Sequence, residues 1–197
     1  MTAAPLRGLV LAGGSSRRMQ RDKAALTIAG KPALHRAFAL VQRHVTDCFV
    51  SIRPDQADDP VRNPLPRILD DGSLAGPLAG IISALTAEPD AAWLVIACDL
   101  PLLDDVTLER LTAGRDISVI ATAFTSAHDS LPEPLCAIYE PASLPVLRAY
   151  AAKDIRCPRR ILLREASRVA LLPAAGNALD NVNTPDELAA VQRRLIG

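Results

Sequence analysis

Short apolar runs alternate along this chain with longer segments in which apolar residues recur at helical spacing. The short runs are rich in valine, isoleucine and leucine, which is typical of strands buried on both faces of a largely parallel sheet. We predict five such strands, namely Arg7–Ala12, Cys48–Ile52, Trp93–Cys98, Ile117–Ala123 and Leu135–Tyr139.

The segments between and after these strands have the period of amphipathic helices. In the segment from Pro32 to Val45, Leu34, Phe38 and Val41 follow at i, i+4 and i+7, so they fall on one side of a helix. Strands that alternate with helices predict a three-layer α/β fold, a mostly parallel, Rossmann-like sheet with helices on both faces. The further predicted helices, most of them with a proline in the first turn, are Pro77–Ala87, Val106–Ala113, Pro141–Ala152, Pro158–Ala166 and Pro185–Ile196.

Size and composition fit a single globular domain over residues 1–197. The 197 residues are 49% hydrophobic and 22% charged, which suffices to bury a core without disulfides. No apolar run reaches the roughly 18 residues of a membrane span, and the first residues lack a secretory signal, so we expect a cytoplasmic protein with no membrane partner. Because 22 basic residues balance 22 acidic ones, we expect no nucleic-acid partner either.

The four cysteines are Cys48, Cys98, Cys136 and Cys157, and they are far apart in the sequence. No C-x-x-C pair and no histidine at ligand spacing accompanies them, so they do not predict a metal site. Free cysteine is among the most buried residue types. We therefore predict that all four are buried.

A glycine-containing loop after the first predicted strand is the first candidate for chemistry. Glycine amides approach an anion closely, and nearby hydroxyl and guanidinium groups supply further donors. The loop therefore suits a triphosphate, although a tight turn with solvated arginines explains the same residues, and it matches neither a Walker loop nor G-x-G-x-x-G. The residues concerned are Leu11, Ala12, Gly13, Gly14, Ser15 and Arg18, with Lys23 shortly after them.

Two further segments are candidates for ligand binding, and the second follows a predicted strand at the carboxyl edge of the sheet, where such sheets bind ligands. Asp70 and Asp71 precede the small residues Gly76–Gly80, which either bind a base or ribose through helix N-terminal amides or permit close packing on the sheet. Asp99 directly follows the apolar strand Trp93–Cys98. A carboxylate at that place either anchors Mg²⁺ beside substrate phosphates or caps a turn.

The run LAGGSSRRMQRDKAALTIAGKPAL, which begins at Leu11, resembles the signature L-A-G-G-x-S-x-R-M-G-x-D-K followed by G-K-P-L. That signature belongs to the molybdenum cofactor guanylyltransferases, a MobA-like family of nucleotidyltransferases with a fold of the nucleotide-diphospho-sugar transferase type. The resemblance implies that the loop amides hold the triphosphate, that Arg18 and Lys23 contact phosphates, and that Lys23 stabilises charge in the transition state. Gln20 stands where the pattern has glycine.

Two more motifs of this family follow in order. The resemblance associates G-P-L-A-G with guanine and ribose recognition, and an aspartate before it belongs to the pattern. The spacing fits both Asp70 and Asp71, of which we favour Asp71. Cys98–Pro101 fits C-D-x-P, so the resemblance makes Asp99 a catalytic residue and the ligand of Mg²⁺. The G-P-L-A-G residues assigned to the nucleotide are Gly76, Pro77, Leu78 and Gly80.

The C-terminal part carries two further likenesses to the family. Glu133–Tyr139 resembles its P-L-x-A-L-Y strand, and Asn181–Pro185 matches N-V-N-T-P, with Thr184 and Pro185 suited to the N-cap and first residue of a helix. Without the resemblance, these asparagines are explained equally well by a cap and turn, and the arginines of the segment 158–166 by surface exposure. The resemblance assigns acceptor binding to Arg160, Asn181 and Asn183.

Together these motifs imply transfer of GMP from GTP to molybdopterin, with Mg²⁺, to give molybdopterin guanine dinucleotide and pyrophosphate. Residues of about 1–110 would bind the nucleotide and those of about 111–197 the acceptor. Cofactor-delivery proteins and target molybdoenzymes, or their chaperones, are the protein partners that the resemblance implies.

Three other functions remain open from the sequence. A CTP-dependent molybdopterin cytidylyltransferase is the nearest, but such proteins tend to have L-A-A-G, so Gly13 favours GTP. A noncatalytic nucleotide-binding regulator of the same fold does not need both Lys23 and Asp99. A sugar-phosphate nucleotidyltransferase would share the N-terminal loop but would not explain Asn181–Pro185.

Overall fold

The computed structural model describes residues 2–13, 22–165, 168–172, 176–182 and 184–196. Over these ranges the helices are α1 (Ala33–Val41), α2 (Pro77–Ala87), α3 (Asp105–Ala113), α4 (Ser143–Ala151), α5 (Pro158–Arg164) and α6 (Pro185–Ile196). The strands are β1 (Leu6–Leu11), β2 (Thr27–Ile28), β3 (Lys31–Pro32), β4 (Cys48–Ile52), β5 (Arg67–Leu69), β6 (Ala92–Ala97), β7 (Ala121–Thr125), β8 (Pro132–Tyr139) and β9 (Arg168–Leu171).

Seven strands form one sheet in the order β5-β4-β1-β6-β8-β7-β9, and β2 and β3 form a separate hairpin. Strand β1 pairs in parallel with β4 on one side and with β6 on the other. Strand β8 is antiparallel to both of its neighbours, β6 and β7. The predicted mostly parallel sheet is confirmed, and the first residues of β8 consequently lie beside the carboxyl end of β6.

Helices cover both faces of the sheet, as the alternating pattern predicts. On one face, Leu34 and Val41 of α1 and Leu108 of α3 belong to a single hydrophobic cluster. On the other face, Ile81 of α2 packs in a second cluster with α4 and α5. The sheet is therefore the middle layer of three. Among the helices of the described ranges, none has the length and apolarity that crossing a bilayer requires.

The strand predicted at Ile117–Ala123 is wrong in its first half, because the structure begins β7 at Ala121. The carboxylate of Asp116 accepts hydrogen bonds from the backbone N–H and the hydroxyl of Ser118, which holds a turn there and leaves Ile117 44% exposed. Strands β2, β3, β5 and β9 escaped prediction, since runs of two to four residues are too short to show a period.

Candidate active site

A lysine and an aspartate from distant parts of the chain meet at the carboxyl edge of the central strands. Lys23 opens the 3-10 turn Lys23–Ala25, which Asp22 caps by accepting a hydrogen bond from the backbone N–H of Ala24. Asp99 lies two residues beyond β6. The Nζ of Lys23 is 2.7 Å from Oδ2 of Asp99, and the two side chains are 20% and 19% exposed. Most of each side chain is buried, so the charges of the pair are partly desolvated and less screened.

The end of β1 is held by two arginines from the segment after β4. Arg62 donates to the carbonyl oxygen of Ala12, and Arg53 donates to that of Gly13. Ala12 is 3% exposed, so these contacts fix the part of the glycine loop that the structure describes. The predicted phosphate contacts Gly14, Ser15 and Arg18, together with Gln20, lie outside the described residues.

Of the two candidate aspartates before α2, Asp70 is the one that faces the loop. A Cβ on Gly13 would lie 3.1 Å from Oδ2 of Asp70, and the hydroxyl of Ser51 donates to Oδ1 at 2.6 Å. Burial raises the pKa of Asp70, against the opposing effects of the Ser51 hydrogen bond and the Arg53 charge. Asp71 is exposed instead, and its carboxylate accepts from the backbone N–H of Ser73.

The small residues at the start of α2 pack this helix closely against the sheet. Gly76 precedes the helix with a φ of 77°, in the left-handed region, and Pro77 is its first residue. Leu78 is fully buried in the core. A Cβ on Gly80 would lie 2.2 Å from Oγ of Ser51 and 2.9 Å from Cδ2 of Leu11. The observed side-chain role of this segment is therefore packing, and Gly80 leaves the room in which Ser51 holds Asp70.

Replacing Gly80 by alanine is expected to lower the free energy of unfolding by about 1–3 kcal/mol, because the added methyl group overpacks the contact with Ser51 and Leu11. Urea unfolding measures the change. Gly72→Ala is the matched control, since a Cβ there meets nothing within 4 Å. Equal stability of the two variants would contradict the packing role of Gly80.

A cleft of about 1100 Å³ has Asp99 on its wall, and neither Gly13 nor Lys23 is among the described residues that line it. Its walls combine apolar residues with charged groups that come from the start of β8, from α5 and from α6. His128 and Asp180 both line the cleft. Nε2 of His128 lies 2.7 Å from Oδ1 of Asp180, and this hydrogen bond raises the pKa of His128. The charged residues on the walls include Asp99, Asp129, Glu133, Arg156, Arg159 and Arg194.

The structure places Arg159 on the cleft wall, whereas the predicted Arg160 is exposed and is not among the described residues that line the cleft. Successive residues of a helix point about 100° apart, so only one of the two faces the cleft. Arg159 contacts Oε2 of Glu133 at 2.8 Å and Oδ2 of Asp129 at 3.1 Å. We accordingly move the expectation of a guanidinium in the cleft from Arg160 to Arg159.

The cysteines are placed as predicted in three cases. Cys48, Cys98 and Cys136 are buried, and burial raises the pKa of the Cys98 thiol to about 12, so this neighbour of Asp99 stays neutral. The prediction is wrong for Cys157, which is exposed because it stands at the N-cap of α5, on the cleft wall.

The asparagine segment lies directly against Asp99. The backbone N–H of Val182 donates to the carbonyl oxygen of Asp99 at 3.1 Å, and Asn181 lines the cleft. Thr184 and Glu187 form the reciprocal capping bonds at the start of α6, which confirms the predicted cap. Asn183 lies outside the described residues.

Comparison with known proteins decides the family to which this arrangement belongs. A family model described as the MobA-like NTP transferase domain matches residues 8–169. The chain belongs to the MobA-like NTP transferase family. It is therefore a nucleotidyltransferase, and the match covers the glycine loop, Lys23, Asp99 and β8.

Individual members of the MobA-like family agree with this placement. The chain is 34% identical over 187 residues to a molybdenum cofactor biosynthesis bifunctional protein of Synechocystis, covering 95% of this chain but 54% of that protein. It is 32% identical to a probable molybdenum cofactor guanylyltransferase of Nostoc, covering 95% and 90% of the two chains. Molybdopterin-guanine dinucleotide biosynthesis protein A from Archaeoglobus fulgidus has the same fold, with a TM-score of 0.76, 22% identity, and 96% and 98% coverage.

Several residues around this MobA-like site had no sequence signal. Arg62 and Arg53 belong to a turn-rich segment without a motif, and their contacts with the loop arise only through folding. Ser51 is an ordinary residue of β4 in the sequence, although its hydroxyl holds Asp70. Arg159 did have a sequence signal, the arginine pair at the start of α5, although the resemblance points to its neighbour Arg160.

Proposed function

We propose that this chain transfers the guanylyl group of GTP to the terminal phosphate of molybdopterin, which yields molybdopterin guanine dinucleotide and pyrophosphate. One observation carries the proposal: Lys23 and Asp99 meet 2.7 Å apart. Asp99 lines the cleft, and Arg62 contacts both Ala12, at the start of the glycine loop, and Asp22, next to Lys23. The nucleotide would lie on the side of Gly13 and Asp70, and the acceptor in the cleft. Residues of about 1–110 and of about 111–197 would thus serve the two substrates.

In this reaction an oxygen of the acceptor phosphate forms a bond to the α-phosphorus of GTP, and the bond to the pyrophosphate oxygen breaks. Negative charge moves to the leaving group, so catalysis consists of positioning and charge stabilisation. The ammonium group of Lys23 supplies a positive charge at the place where the two substrates would meet. Arg18, Gly14 and Ser15 complete the proposed phosphate site.

The residues present fit a magnesium ion shared with the substrate. Within the described residues no three His, Cys, Asp or Glu side chains come together as a metal site. Asp99 nevertheless offers one carboxylate at the sheet edge, and Mg²⁺ is usually held by one or two carboxylates together with substrate phosphates and water. Asp99 would hold the ion, which neutralises phosphate charge when bound.

Guanosine is the favoured nucleoside because of Asp70 and Gly13. An ionised carboxylate accepts hydrogen bonds and donates none. Asp70 therefore suits the N–H groups of guanine and the hydroxyls of ribose. We therefore assign the nucleoside contact to Asp70 rather than to Asp71. Gly13 leaves space for it, since a Cβ would lie 3.1 Å from Oδ2 of Asp70. The relatives named guanylyltransferases point to the same base.

For the acceptor, we propose contacts from Asn181 and Arg159, with Asn183 as predicted from the motif. Asn181 both donates and accepts hydrogen bonds, which suits the amide-like edge of a pterin. The guanidinium of Arg159 suits its phosphate. Delivery proteins, target molybdoenzymes and their chaperones remain predictions of the resemblance.

Pyrophosphate release with each of GTP, CTP, ATP and UTP, in the presence of molybdopterin and Mg²⁺, tests this proposal. We expect release with GTP alone and only when molybdopterin is present, because the site requires both substrates. Release with CTP alone would favour the cytidylyltransferase instead. Nucleotide binding without any release would favour the noncatalytic regulator, and either result would overturn the proposed reaction.

A further inference from the structure

A buried arginine outside every motif connects the two ends of the proposed phosphate site. The side chain of Arg62 is 1% exposed, although arginine is almost never fully buried unless it is paired. Its Nε and one terminal nitrogen donate to the carbonyl oxygen of Ala12 at 3.2 and 2.7 Å. The guanidinium also contacts Asp22 at 2.5 and 2.9 Å and Asp59 at 3.0 Å.

Through these contacts, Arg62 connects two chain segments that are ten residues apart in the sequence. Ala12 is the last residue before Gly13, and Asp22 is the residue before Lys23. One rigid, planar group therefore fixes the beginning of the phosphate loop and the start of the turn that carries Lys23. Asp59 anchors the guanidinium from its own segment, because its carboxylate also accepts from the backbone N–H groups of Val61 and Arg62.

The bond to Ala12 also sets the direction of a loop amide. In a trans peptide the carbonyl of one residue and the N–H of the next point in opposite directions. Since Arg62 holds the carbonyl of Ala12, the N–H of Gly13 points away from Arg62. Arg53 holds the next carbonyl, that of Gly13.

We propose that Arg62 is a positioning residue for nucleotidyl transfer, which orients the loop amide of Gly13 and places Lys23 opposite Asp99. This rests on the proposed function, because the consequence is read in GTP binding and turnover. The charge of Asp22 is consistent with this role: burial raises the pKa of its carboxyl group, but the hydrogen bond and charge of Arg62, together with the Ala24 backbone N–H and the Arg53 charge, lower it overall. Asp22 therefore stays ionised and paired at neutral pH.

Arg62→Lys tests the proposal, because lysine keeps the positive charge but cannot reproduce the planar fork that reaches Ala12 and Asp22 together. We expect kcat/KM for GTP to fall about 100-fold, through both a higher KM and a lower kcat, as displacement of reacting groups by about 1 Å does. The KM for molybdopterin should stay unchanged, because neither Arg62 nor the residues that it contacts, Ala12, Asp22 and Asp59, line the proposed acceptor cleft. Arg67→Lys is the matched control, since this exposed arginine of the same region donates to the carbonyl of Ala57 and not to the loop.

Two results would overturn the proposal: an unchanged kcat/KM for GTP in Arg62→Lys, or a loss that disappears after correction for the folded fraction measured by thermal unfolding. If Arg62→Lys folds poorly, Asp22→Asn serves instead, because it weakens the ion pair between Arg62 and residue 22. We expect a smaller loss of kcat/KM for GTP in this variant and again an unchanged KM for molybdopterin. The wild-type protein separates the two hypotheses. If it neither transfers from GTP nor binds GTP in calorimetry, the proposed function fails, whereas active wild type with unaffected variants refutes only the role of Arg62.

Discussion

Replacing Lys23 by alanine should reduce kcat about 100- to 1000-fold, the loss typical when one preorganised group that stabilises transition-state charge is removed. The ammonium group lies 2.7 Å from Asp99, and among the described residues no other lysine forms an ion pair with this aspartate. Stability should fall as well, by about 1–3 kcal/mol, because the two side chains are only 20% and 19% exposed and Asp99 loses the charge that compensates its partial desolvation. Steady-state kinetics with GTP and molybdopterin, together with thermal unfolding, measure the two effects.

The control for this variant is Lys153→Ala, which removes the same charge from an exposed position after α4. Its kinetics should equal those of the wild type. Lys23→Arg is informative as well, because it keeps the charge but changes the group from a compact point to a planar fork. We expect it to recover part of kcat. Wild-type turnover in Lys23→Ala would remove this residue from the mechanism.

Replacing Asp99 by asparagine should lower kcat/KM about 1000-fold. The substitution keeps the shape of the side chain and its ability to accept a hydrogen bond from Lys23, but removes the negative charge that would hold Mg²⁺. Loss of several kcal/mol of charge stabilisation corresponds to that factor. Initial rates measured over a range of Mg²⁺ concentrations should show a requirement for much more metal than in the wild type.

Asp90→Asn removes the same charge in an exposed turn before β6, so it should leave the Mg²⁺ dependence unchanged. Because Lys23 and Asp99 contact each other, the variant that carries both substitutions should lose less than the product of the two single losses. Strictly multiplicative losses, or a normal Mg²⁺ dependence in Asp99→Asn, would show that the two residues act separately or that Asp99 holds no metal.

How far the sequence predicts this site depends on whether the information is local. The strand before Asp99 and the helix face of Leu34, Phe38 and Val41 were predictable, because burial on one or both faces imposes a period on the sequence. The cap at Thr184 was predictable for a similar reason, since its chemistry lies within four residues.

Contacts made only by folding could not be predicted from the sequence. Arg62 reaches Ala12 across 50 residues, and no spacing rule connects them. The choice between Asp70 and Asp71 depends on which carboxylate lies against Gly13, a distance that the sequence spacing does not contain. For Arg159 and Arg160, the motif fixes the neighbourhood, but the phase of α5 decides which side chain faces the cleft.

The hydrogen bond from Val182 to the carbonyl of Asp99 is made entirely by main-chain atoms. Such a bond does not depend on which side chains stand at these two positions, apart from excluding proline at the donor. Substitutions in the wall of the cleft can therefore accumulate during evolution without altering its separation from Asp99. Proteins with this hydrogen bond can therefore evolve to act on different acceptors while the nucleotide site stays unchanged.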